Sequence, residues 1–164
     1  LNMNLREDKR WAYGASSFLP DAIAQRPFMT YASVQTDKTA ESVAEVLKEA
    51  RQVIGDKPLT DAEISKIKLG NVRELPGSFE TTGSVLSVLS RNALYDRPDN
   101  YVDTLKSRIE GMKDADVEAA AREIIHPDAI TWVIVGDLKL VEKPVRTLKL
   151  GEVKVLDVDG KVVR

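Results

Sequence analysis

The chain has 164 residues, with 24 Lys plus Arg against 26 Asp plus Glu, a net charge of −2, one histidine and no cysteine. Such a length suits a single domain, residues 1–164, able to bury a core without disulfides or metal. No basic stripe interleaved with aromatics appears, which argues against a nucleic-acid partner. No apolar run approaches a bilayer span, and nothing resembles a signal peptide.

The first informative stretch is Leu5-Arg6-Glu7-Asp8-Lys9-Arg10-Trp11-Ala12-Tyr13-Gly14. Leu1 and Leu5 read as the end of a helix, so the chain is expected to be an excised piece of something longer, with any export signal on the missing part. Residues 11–18 then alternate, with Trp11, Tyr13, Ala15 and Ser17 on one face of a strand. Residues 28–35 form a second strand candidate, reached through the loop Pro20 to Pro27, and the pair is expected to be antiparallel. Arg6 and Tyr13 therefore flank a helix-to-strand junction that can aim both at one point. A planar cation and a neutral hydroxyl donor suit a peptide carbonyl, or the oxyanion it becomes when attacked. Taken singly, each has a plainer reading: a solvated arginine in a charged cluster, and a packed strand aromatic.

A helix is predicted over Thr39–Ile54, with Ala40, Val43, Ala44, Leu47, Ala50 and Ile54 as its apolar stripe. Thr60-Asp61-Ala62-Glu63 is a capping box that starts a second helix, broken at Pro76-Gly77. A third runs from Ser78 to Tyr95, a fourth opens at Pro98, and a fifth spans about Asp114 to Ile125, ending at His126 before Pro127. Ile130 to Asp137 is almost wholly apolar and reads as a central strand covered on at least one face. After a mixed segment to Gly151, Asp159-Gly160 signals a terminal hairpin with a type I′ turn. Strands at both ends and helices between give an α+β fold, an antiparallel sheet with a layer of helices on one face.

The other reactive-looking residues read as structural. Glu7 and Asp8 are neighbours that point apart and stay solvated. His126 is a lone imidazole at a helix end, and with no cysteine and no His-x-x-Glu-His the chain offers no zinc site of its own. Ser16-Ser17 lack any nucleophile motif, and Gly136-Asp137 is a strand-end turn rather than a phosphate loop. Phe79, Tyr95, Tyr101 and Trp132 fall on apolar faces and are read as core.

Leu5-Arg6-Glu7 with Ala12-Tyr13-Gly14 resembles the arginine–tyrosine segment in C-terminal halves of insulinase/pitrilysin-type zinc metallopeptidases. Pro76-Gly77-Ser78-Phe79-Glu80, the helices from Tyr101 to Ala121, Ile134-Val135-Gly136-Asp137 and the Leu156 to Gly160 close are similar to that family in the same order. The resemblance implies an insulinase-like, N-terminally truncated fold, the C-terminal inactive domain of a larger peptidase. Two halves close around a peptide there; a zinc-bearing half, on the same chain or a separate subunit, supplies metal and base, and this half supplies Arg6 and Tyr13 as substrate-binding groups. No catalytic residue, metal ligand or cofactor is then expected on this chain, which alone should be inert. Arg10 departs from the family, standing where a glycine is common. The truncation predicts an exposed sheet edge open to a homodimer. A scaffold of the same fold without peptidase role, or a small-molecule-binding α+β module, are the alternatives. Cysteine usage leaves the compartment open, although bacterial relatives of this type are often periplasmic.

Overall fold

The computed structural model describes residues 1–164. A short π-helical turn, Met3–Asp8, leads into β1 (Ala12–Phe18), which pairs antiparallel with β2 (Met29–Val34) in a two-stranded sheet. Gln35 N donates to Trp11 O at 2.8 Å, and the Ser17 and Thr30 hydroxyls share a 2.9 Å hydrogen bond further along. That contact gives Ser17 a structural role. Six helices follow: α1 (Thr39–Ile54), α2 (Asp61–Glu74), α3 (Thr82–Leu94), α4 (Tyr101–Gly111), α5 (Asp114–Ile124) and α6 (Leu138–Thr147).

The chain divides into two compact units. The first holds Leu1–Phe18, Thr30–Glu49 and Pro127–Arg164; the second holds Leu19–Met29 and Ala50–His126. Leu5, Ala40, Val43, Leu47 and Val141 are the buried apolar residues of the first unit, drawn from the π-turn, α1 and α6. Within α1 the expected stripe holds at Ala40, Val43 and Leu47, whereas Ala44 is exposed and Ser42 takes its place inside. The Ser42 hydroxyl has no partner there. An orphaned buried hydroxyl costs more than a methyl in the same space, so Ser42→Ala should stabilise the chain by about 1 kcal/mol. A thermal melt checks this, with a rise of roughly 2–4 °C expected.

In the second unit α2 starts at the Thr60 capping box, as its sequence demands. Glu63 Oε2 accepts from Thr60 N at 2.8 Å while the Thr60 hydroxyl accepts from Glu63 N at 3.3 Å. The Thr60 backbone N–H, and then the Thr60 hydroxyl donating to Glu63 Oε2 at 2.7 Å, lower the Glu63 pKa below its ordinary value. A 3₁₀ turn at Pro76–Phe79 precedes α3, and α4 begins three residues after Pro98, with Tyr101 N bonded to Pro98 O. Ile64 is this unit's buried residue. Phe79, read as core, is 51% exposed, and Leu86 and Leu89 on α3 are exposed as well.

Two expectations near the C-terminus are corrected. Ile130–Asp137 is not in a sheet, and Val133 and Val135 are 83% and 96% exposed. Exposure still alternates along the run, with Trp132 and Ile134 half-buried, so the backbone has a strand's two-residue period without a ladder partner. The segment read as mixed contains α6. Asp137 caps it, its carboxylate accepting from Lys139 N at 3.0 Å, and Leu138, Val141, Val145 and Leu148 follow at helical spacing. Pro144 inside the helix hid it from a propensity reading.

The terminal hairpin forms through a Leu156–Val162 bridge, with Val163 N bonded to Val155 O at 2.9 Å. Its turn is not type I′, because Asp159 keeps an ordinary φ and Gly160 alone is left-handed (φ 80°). The Asp157 carboxylate builds the turn instead, accepting from Asp159 N and Lys161 N. Glu142 on α6 receives both Arg146 and Arg164, fastening the chain end to that helix.

Candidate functional site

The π-turn sets the position of Arg6. Lys9 N reaches back five residues to Asn4 O at 2.9 Å, the wide-turn pattern common near functional sites. Leu5, fully enclosed at 0% exposure, pins the turn inward, which leaves its neighbour Arg6 outward and 52% exposed. Two asparagines fasten the turn on either side. Asn2 Oδ1 accepts from Ala15 N on β1 at 3.0 Å. Asn4 Nδ2 donates to Glu45 Oε2 and Glu49 Oε1 on α1, each at 2.8 Å.

The chain then reverses at Arg10, whose φ of 58° lies in the left-handed region. Glycine adopts that conformation freely and a side chain pays for it. The position where the resemblance sets a glycine is thus one where the backbone itself asks for one. Gln35 Nε2 donates to Arg10 O at 3.1 Å and helps hold the reversal.

Beyond it, β1 carries Tyr13 with its ring 89% exposed, so the strand aromatic is not core. Arg6 Cζ stands 5.7 Å from the Tyr13 ring centroid. The structure therefore brings the two sequence-selected side chains together on one open surface. Glu7, read from sequence as merely solvated, pairs with Arg6 through Nε at 3.3 Å. That single contact leaves the two terminal amino groups of the guanidinium free for a further acceptor. Adjacent acid and base in a junction was the available signal for this pairing.

A second cation–aromatic contact lies beside the first. Lys9 Nζ is 4.7 Å and Lys38 Nζ 5.9 Å from the Trp11 ring. Both lysines also meet carboxylates, Lys9 at Glu45 (3.6 Å) and Lys38 at Glu41 (3.2 Å), so this neighbour is close to neutral. Glu45 is held below its ordinary pKa of 4.5, first by the Asn4 amide and then by Lys48 and Lys9.

The sign of the pH effect follows. A carboxyl depressed in the folded state stabilises the fold above its ordinary value, and that contribution disappears as pH falls through the folded-state value. Acidification below about pH 4.5 should therefore destabilise the chain, and Asn4→Ala should shrink the Glu45 share of the drop. At neutral pH Asn4→Ala should cost roughly 1–3 kcal/mol, since two carboxylates lose a donor. Chemical denaturation across pH, compared between the two proteins, reads both effects.

Surface depressions lie elsewhere. One of about 390 Å³ follows α6 at Leu138, Glu142 and Arg146, and another of about 220 Å³ is lined by Ser65, Val72 and Glu110. Arg6 and Tyr13 stand on an open face by their own exposure. No three His, Cys, Asp or Glu side chains gather in the chain in a way that could hold a metal ion, and His126 is exposed just beyond α5. The residues here do not fit a zinc ion.

Residues 1–71 match the model of the peptidase M16 inactive domain. No curated protein sequence matches the chain. Among solved structures, the crystal structure of a peptidase M16 inactive domain from Pseudomonas fluorescens superposes with a TM-score of 0.66 at 20% identity, over 76% of this chain and 29% of that one. The chain therefore spans less than a third of that relative's length. Over its first 71 residues the chain is similar to the peptidase M16 inactive domain, and its α+β fold is the fold of the solved inactive domain.

Proposed function

We propose that residues 1–164 are the substrate-binding, metal-free C-terminal half of a zinc-dependent peptidase, in which Arg6 and Tyr13 address the carbonyl oxygen of a bound peptide. The observation that carries this reading is the shared open surface of the two groups, 5.7 Å apart with Tyr13 almost uncovered. Each does a distinct job. The terminal amino groups of Arg6, left free by Glu7, grip a backbone carbonyl before and during attack. The neutral Tyr13 hydroxyl donates to the same oxygen as negative charge develops on it.

The partner in this reading is a zinc-bearing half, on the same chain or a separate subunit, whose face closes the open side of the site. That half holds the metal and the base, and this one holds and polarises the peptide. The chain alone then cleaves nothing. A two-stranded sheet also has outer edges, and a second copy pairing there is part of the proposal; sedimentation equilibrium tests it, with a dimer expected.

The decisive experiment restores the zinc-bearing half and follows peptide cleavage with Arg6→Ala and Tyr13→Phe. Loss of turnover in both supports the reading. Unchanged turnover would leave a scaffold of the same fold.

A further inference from the structure

Four side chains of the second unit form a cluster that the Arg6–Tyr13 site does not use. Arg97 Cζ lies 4.7 Å from the Tyr95 ring centroid and 4.4 Å from that of Tyr101, so one guanidinium contacts two rings. Arg108, two turns along α4 from Tyr101, places its own Cζ 5.2 Å from the same Tyr101 ring. Asp96, left-handed at φ 48°, turns the chain between α3 and α4 and brings Arg97 back over the rings.

Ring contact uses the face of a guanidinium and leaves its rim, where all five N–H donors lie. No acceptor in the chain engages those donors on Arg97 or Arg108. Asp96, Asp99 and Asp103 neighbour them in sequence, yet none pairs with either one. The Tyr95 hydroxyl oxygen is enclosed and without a partner as well. Two cations gathered at one ring repel each other, and a buried phenol without a bond costs stability. A planar anion between them offsets the repulsion and matches the donor geometry.

We infer that Arg97, Tyr101 and Arg108 form a subsite for a carboxylate carried by a peptide, supplied by an acidic side chain or by the chain terminus. The inference takes the peptide as carrier from the reading above, while the recognition of the anion rests on this cluster alone. Arg97, half-buried and held by two rings, is the preorganised donor, and the exposed Arg108 adds the second charge. The tyrosines keep the forks in place and line the site with apolar surface.

The test uses the whole 164-residue chain and labelled peptides followed by fluorescence anisotropy. An oligo-glutamate peptide with an amidated end, its oligo-glutamine counterpart, and an oligo-glutamine peptide with a free end separate side-chain from terminal carboxylates. Binding of at least one carboxylate-bearing peptide is expected, with the amidated oligo-glutamine peptide weaker by about tenfold. Arg97→Gln should cost that same factor, and Arg97→Lys part of it, because lysine keeps the charge without the planar fork. Should Arg97→Gln disturb α4 by circular dichroism, the exposed Arg108→Gln still reads the effect, several-fold weaker and salt-sensitive. Equal affinity for charged and uncharged peptides, or carboxylate binding unmoved by both substitutions, overturns the inference. The assay needs no zinc-bearing half, so a negative result leaves the Arg6–Tyr13 reading standing, and unchanged turnover with Tyr13→Phe leaves a positive binding result standing.

Discussion

On the proposed reading, Tyr13→Phe is expected to lower peptide turnover, once the zinc-bearing half is restored, by a factor on the order of 10²–10³, the usual consequence of losing one oxyanion donor. Its melting temperature should stay within about 1 °C of the parent, because an exposed hydroxyl contributes little to folding. The ring is 89% exposed, and phenylalanine keeps the face that Arg6 covers at 5.7 Å, so the substitution removes a proton donor and almost nothing else. The loss should fall on kcat with KM little changed, since the oxygen carries its full charge only in the transition state. Arg6→Ala should behave differently. It removes a grip made in the ground state too, so KM rises together with the fall in kcat. Turnover within about twofold of the parent for Tyr13→Phe would end the oxyanion role assigned to it.

Leu5→Ala is the largest stability effect expected, about 2–5 kcal/mol. Leu5 is the one large side chain with no exposed surface, and it anchors the π-turn from which Arg6 projects. Truncation leaves a cavity at that anchor, and the melting temperature should drop by on the order of 10 °C. Met3, in the same turn but 66% exposed, provides the control, and Met3→Ala should change stability by less than about 0.5 kcal/mol. If the two alanine variants melt alike, Leu5 is not the anchor of the turn.

Much of the architecture was legible because local chemistry dictated it. The Thr60–Glu63 box starts α2, the periodicity of Thr39–Ile54 yields α1, and alternation in residues 11–18 yields β1. Arg6 and Tyr13 were singled out from local pattern too, as residues either side of a helix-to-strand junction, and their contact is seen at 5.7 Å. What escaped depended on neighbours rather than on local pattern. Ile130–Asp137 has a strand's composition, yet a strand is defined by a partner, and none pairs with it here. Leu86, Leu89 and Phe79 have core composition and lie open. Pro144 masked α6, whose start is nonetheless written in Asp137. Glu7 was read as solvated and Tyr101 as core, and Arg97 and Arg108 drew no reading, because spacing alone does not tell which ring a cation will cover.

With Ile64 as its one buried residue, the unit built from α2 to α5 has little apolar surface to lose when a helix detaches. Its amide protons are expected to exchange through frequent small openings, and those of α1 up to Glu49 through rarer, larger ones. Deuterium uptake should sort the chain into a fast portion and a slow portion along that division. Arg6 and Tyr13 belong to the unit expected to exchange slowly, so the proposed site would rest on the part slowest to open.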